Sequence, residues 1–142
     1  MMMIKDAVVP VKELSAHINP LDCFLWNCNP ITKDDVQSAI VGERFEERTW
    51  DENKDNLHGS DEGREFHIQR IAHLCMDKID DQSKHSIQLD IALQANGSLI
   101  NIMNGNHRVA AAIITGLEHL NVKVYIENDA DLFAVLPGAT LL

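Results

Sequence analysis

Asn104-Gly105-Asn106-His107-Arg108 constrains what this chain can fold into more than any other stretch. Before it, residues 99–103 (Leu-Ile-Asn-Ile-Met) have the length and apolar content of a buried strand. After it, residues 109–114 (Val-Ala-Ala-Ala-Ile-Ile) read as an alanine-rich helix, and Gly116 is its natural stop. A strand must therefore hand over to a helix start through a turn with one glycine. The first turn of a helix carries unpaired N–H groups and the positive end of the helix dipole. Gly105 lets a backbone come close, as a phosphate would require. Arg108 can supply a bidentate fork and His107 a second donor. The local chemistry is that of an anion pocket, most naturally one for phosphate. Ordinary turn chemistry is the competing account, since Asn-Gly is a common turn and an arginine in a first turn is often only solvated.

The surroundings supply the other elements. Residues 86–93 alternate cleanly, with Ile87, Leu89, Ile91 and Leu93 on one face, which predicts a half-buried strand. Residues 95–98 (Ala-Asn-Gly-Ser) are the hairpin turn into the strand 99–103. Val122, Val124 and Ile126 give a last strand its inward face. The longest helix starts at a Ser60 or Asp61 cap and carries a stripe of Ile68, Ile71, Ala72, Cys75 and Ile79. His67, Arg70 and Leu74 share another of its faces. That face is either a solvated one or the second wall of the phosphate pocket, and the second reading is preferred.

Upstream, residues 7–11 predict an edge strand that ends near Pro10, and Lys12 to His17 one helical turn. Asn19-Pro20 and Asn29-Pro30 are turn signals, and the apolar residues between them either plug the core or cover a pocket, core packing being preferred for Phe24 and Trp26. Thr32 caps a helix that stops near Gly42. Residues 43–60 are charged and turn-rich, a mobile surface insertion able to fold over the site, and residues 128–142 read as a tail with one helical turn.

The chain has 142 residues, 45% of them hydrophobic, which suits one domain spanning 1–142 with a real core. No apolar run reaches the ~18 residues of a membrane span, and residues 1–6 lack the apolar stretch of a signal peptide. A cytoplasmic location without membrane contact is expected. Twelve Lys and Arg against 22 Asp and Glu give a formal charge of −10. That field opposes a polyanion, so sequence-specific DNA binding is not expected. Three cysteines, Cys23, Cys28 and Cys75, form an odd and sparse set suited to a reducing compartment. The four residues between Cys23 and Cys28 do not match zinc-site spacing, so buried or inert thiols are the expectation.

The run from Asn96 to Ala112, followed by Gly116 and the strand 121–126, resembles the ParB/sulfiredoxin superfamily. Gly105-Asn106-His107-Arg108 is similar to the Gly-Cys-His-Arg of sulfiredoxins and to the Asp-Gly-Asn-His-Arg of small ParB-like proteins. His67-Ile68-Gln69-Arg70-Ile71-Ala72 is similar to the His-x-x-Arg-Ile-Ala helix that precedes the turn in such proteins. The likeness covers a core of about 62–127. It implies an α+β fold, a small mixed β-sheet backed by helices, with nucleotide phosphates held at the helix start after the turn.

Members of that superfamily use ATP, ADP or CTP, and the resemblance does not choose among them. A sulfiredoxin activity is excluded, because Asn106 stands where the reactive cysteine would be. Partition activity is not expected either, since Val109 follows Arg108 in place of a second arginine and about fifteen residues follow the last strand. The implied function is nucleotide binding with hydrolysis or phosphoryl transfer to a small acceptor. Asn104, Gly105, Asn106, His107, Arg108 and Arg70 would hold the phosphates, Glu65 or His67 would serve as general base, and Asp90 would hold magnesium. The alternative is a non-catalytic acidic module that meets a basic protein partner. A third reading, a ParB-like nuclease, needs a carboxylate cluster that the sequence does not display.

Overall fold

The computed structural model describes residues 2–50, 57–76, 79, 86–94 and 97–142. Residues 80–85, the expected hairpin-turn residues 95–96, the side chain of Leu93 and the middle of the segment 43–60 lie outside the described residues.

In chain order the elements are β1 (Met3–Pro10), α1 (Val11–His17), a short 3-10 turn (Pro20–Asp22), α2 (Lys33–Val41), α3 (Asp61–Cys75), β2 (Ile87–Gln94), β3 (Gly97–Asn104), α4 (Asn106–Thr115), β4 (His119–Ile126), α5 (Asp129–Val135) and β5 (Thr140–Leu141). The protein is α+β: the described residues form five α-helices and an open mixed sheet of five strands in the order β3-β2-β4-β1-β5. β2 runs parallel to β4 and antiparallel to β3, while β1 is antiparallel to both β4 and β5. The parallel pair follows from where the chain re-enters: β3 ends beside the start of β2, and β4 begins at that same end, so β4 runs in the direction of β2.

Period-2 patterning sets which sheet face is covered. Ala7, Val9, Leu89, Ile91, Val122, Val124 and Ile126 are buried, and they alternate with exposed Asp6, Asn101 and Asn121 on the strands or their ladder partners. Helices cover the first set. α4 is buried along Val109-Ala110-Ala111-Ala112 and packs chiefly against α3. Three consecutive alanines let the helix axes approach closely and allow burial on more than one side.

Caps fix the helix starts. Thr32 Oγ1 accepts the N–H of Asp35, and the Asp35 carboxylate accepts the N–H of Thr32, a reciprocal capping box. The bond from the Thr32 N–H, with Arg64 adding its charge, holds the Asp35 carboxyl below its usual range. Ser60 Oγ accepts the N–H of Gly63 at 3.0 Å and starts α3. Gly116, at φ +73°, closes α4.

Four expectations are corrected. β1 is interior, flanked by β4 and β5, because residues 140–141 return to pair with Ala7 and Val8. The tail is therefore not loose: α5 buries Leu132 and Val135, and β5 closes the sheet. Ile79 lies beyond α3, which ends at Cys75. Phe24 is 97% exposed although Trp26 is buried. Residues 24–27 form a turn flanked by Cys23 at φ +59° and containing Asn27 at φ +52°, and that turn sends Trp26 inward and Phe24 outward.

Candidate functional site

α3 and α4 bring two histidines together. His67 sits on α3 and is 1% exposed, and His107 is the second residue of α4. His67 Nδ1 lies 2.8 Å from His107 Nε2, so one ring donates and the other accepts. Trp26 stacks on both imidazoles, with ring centroids 4.2 Å from His67 and 4.6 Å from His107 and planes within 15°. Trp50 adds a tilted contact to His67 at 4.2 Å, and Phe66 an edge contact. Three segments distant in sequence thus build one aromatic box around a histidine pair.

This enclosure fixes the charge of the pair. Burial pushes the His67 pKa down to about 3, with the nearby His58 adding to the effect. Burial also holds His107 well below the ordinary value, assisted by His67 and by the positive charge of Arg70. Both rings are neutral at pH 7, so one contributes the N–H of the shared hydrogen bond and the other its lone pair. The linkage has a definite sign. Between pH 3 and 6.5 the unfolded chain protonates His67 and the folded chain does not, so stability is complete above pH 6.5 and falls as acid is added. His67 alone is expected to remove roughly 1.5–2 kcal/mol between pH 6.5 and pH 5. Urea unfolding across that range checks this, and His67→Gln should flatten the acid limb.

The turn itself has the anticipated form. Gly105 is the N-cap of α4 at φ +99°, and no side chain caps the helix. The N–H of Val109 bonds to the Gly105 carbonyl at 2.9 Å, so the N–H groups of Asn106, His107 and Arg108 precede the first helical bond. Asn106 turns its amide back toward the Ile102 carbonyl at 3.5 Å, and Asn104 ends β3. Arg108 is 8% exposed, a buried guanidinium rather than a solvated one.

The remaining residues singled out from the sequence lie as follows. Arg70 donates to the carbonyl oxygens of Glu46 and Glu47 while its charge reaches His107. The N–H of Glu46 bonds to the Gln69 carbonyl, so the described start of the segment 43–60 is docked on α3. Glu65 is ion-paired with Arg44 and accepts from Gln69 of the next turn. It belongs to a surface network between α2 and α3 rather than to the histidine pair. Asp90 stands between buried Leu89 and Ile91 on β2, opposite exposed Asn101, and so points to the other face of the sheet. Its Oδ1 is shielded from solvent and accepts no hydrogen bond. Among the described residues no group of three His, Cys, Asp or Glu is arranged to hold a metal ion.

Trp50 was not legible as a site residue, and for Trp26 the sequence favours core packing over covering a pocket. The only signal was an aromatic in each loop, and nothing local says that both converge on one histidine. A polar cavity of about 340 Å³ is lined by Asn27, Cys28 and Asn29 of the loop that carries Trp26 and by Gly59, Ser60, Asp61 and Arg64 at the start of α3. Among the described residues no helix is long and apolar enough to cross a membrane. Comparison of the chain with protein families, with curated proteins and with solved structures found no match.

Proposed function

We propose that the turn Asn104–Arg108 and the first turn of α4 bind the phosphates of a nucleotide, in the manner of a ParB/sulfiredoxin-like domain. The observation that carries this reading is His107, set in an uncapped helix start beside Arg108 and hydrogen-bonded to His67. Backbone N–H groups, a helix dipole and a permanent guanidinium favour an anion. The neutral imidazole of His107 adds a donor without adding charge. A bound phosphate would draw a proton onto the pair, and His67 would share it through the 2.8 Å contact. In a hydrolytic or phosphoryl-transfer reaction the pair would move the proton and Arg108 would stabilise charge on the phosphoryl oxygens. ATP, ADP and CTP all fit this chemistry. Magnesium, if it takes part, would arrive bound to the nucleotide, since Asp90 faces away from the turn.

A second reading is favoured by the position of the carboxylates. Glu65 is occupied by Arg44 and Gln69, so it does not support the role of general base. A non-catalytic nucleotide-responsive or protein-binding module, its acidic surface meeting a basic partner, fits that arrangement. Turnover separates the two readings.

The test is a thermal-shift screen of nucleoside mono-, di- and triphosphates with and without magnesium, followed by calorimetry. A ligand at 100 times its Kd stabilises the folded state by about 2.7 kcal/mol. Arg108→Ala is expected to weaken binding by roughly tenfold to a hundredfold, the equivalent of one charge-assisted bond pair. His107→Ala should have the smaller effect at pH 7 and a larger one in acid. Because Arg108 is buried, the unliganded melting point of each variant is measured alongside, and Arg108→Lys retains the charge while removing the fork. Unchanged affinity in Arg108→Ala would make the arginine structural, and no binding by wild type would leave the module reading in place.

A further inference from the structure

The loop that delivers Trp26 is closed at its neck. The N–H of Ile31 bonds to the Leu21 carbonyl at 2.9 Å, and Arg64 of α3 clamps the outgoing strand of the loop through the carbonyls of Asn29 and Pro30 at 3.1 and 2.8 Å. Just inside this neck stand Cys23 and Cys28, one on each arm, both free thiols. Cys23 is buried and Cys28 is half-buried at the wall of the 340 Å³ cavity. Trp26, 3% exposed, sits between them in sequence and stacks on His67 and His107.

We propose that Cys23 and Cys28 are a reversible oxidation site, a dithiol that a peroxide converts to a disulfide closing the loop around Trp26. This inference is independent of the nucleotide reading. Cys28 is the entry point, because the cavity gives a small oxidant access to it. Its thiolate attacks the peroxide: an S–O bond forms, the O–O bond breaks, and the leaving hydroxide takes up a proton to become water. The Cys23 thiol then gives up its proton and attacks the Cys28 sulfur. The S–S bond forms, the S–O bond breaks, and a second water leaves. Two thiols are oxidised by two electrons, and one peroxide is reduced to two waters.

Physical chemistry also assigns the order. Burial, together with the adjoining Cys28 thiol, pushes Cys23 up to about 12, so Cys23 rests as a thiol and is the resolving partner rather than the sensor. Cys75, half-buried on α3 with its thiol against the Ala111 carbonyl and pushed by burial to about 11, has no such neighbour in reach and is the internal control. A disulfide between two arms of one loop fixes the segment that carries the indole, and so ties the redox state to the aromatic lid on the histidine pair. In a reducing compartment such a bond is transient, as a sensor requires.

The experiment uses the full chain, treated with hydrogen peroxide at neutral pH, quenched with an alkylating agent and mapped by non-reducing peptide mass spectrometry. The expected result is a fall from three free thiols to one, a Cys23–Cys28 cross-linked peptide, survival of Cys75, and full reversal by dithiothreitol. Cys28→Ser should abolish the loss of Cys23, and Cys75→Ser should leave the cross-link unchanged. Where Cys28→Ser folds poorly, the wild-type map alone decides. Cys28 found as sulfinic or sulfonic acid, a disulfide between chains, or three unreacted thiols would each overturn the assignment.

Discussion

Trp26→Ala is expected to destabilise the protein by roughly 3–5 kcal/mol, the range for removing a buried aromatic ring. The indole is 3% exposed and covers two imidazoles at once, so its removal opens a cavity and wets a pair held neutral by burial. A second signature follows from the same contact. Burial is the main reason the His67 pKa lies near 3, so with Trp26 gone it should rise toward 6.5. Urea denaturation reads the first effect, and NMR titration of the imidazole protons reads the second. Phe24→Ala, two residues away and 97% exposed, should change stability by no more than about 0.5 kcal/mol. Equal effects from the two variants, or a His67 titration unmoved by Trp26→Ala, would contradict the packing described.

Gly105→Ala is expected to cost roughly 2–6 kcal/mol, combining backbone strain of about 1–3 kcal/mol with overpacking of about 1–3 kcal/mol. At φ +99° an L-residue is strained whatever the space around it. The space is also missing: a Cβ would stand 2.9 Å from Ile87 Cγ1 and 3.2 Å from Ile87 Cα. Ile87 opens β2 and is buried, so it cannot retreat. Gly116 provides the comparison. It has φ +73° and open space around it, so Gly116→Ala should show only the left-handed backbone term, about 1–2 kcal/mol. Thermal and urea unfolding of both variants measure the difference. If the two glycines behave alike, the turn is not pressed against β2.

Much of the fold could be read locally. Alternation in residues 87–91 and 122–126 and the Asn-Gly turn before the alanine run placed β2, β4 and α4, and the Thr32 and Ser60 caps placed two helix starts. Of the expected site, His67 and His107 meet, and Arg70 lies near enough for its charge to reach His107. Glu65 lies on the helix face that meets Arg44. Asp90, by the phase of its strand, lies on the side of the sheet opposite Leu89 and Ile91. Sequence proximity to a site residue does not say which side of an element a carboxylate faces.

By itself, then, the sequence determined what is local: period-2 strands, capped helices, a glycine at the left-handed start of α4, and a net charge of −10. Only the tertiary structure decided what is long-range. β1 became interior because residues 140–141 return to it over more than a hundred residues of chain. Trp26 and Trp50 became the walls of a histidine pair on helices 40 residues apart, and that burial, not the residues' own chemistry, made two imidazoles neutral. Local conformation follows from backbone sterics and side-chain periodicity, which any short window contains. Desolvation depends on what the rest of the chain packs above a group, and no short window contains that.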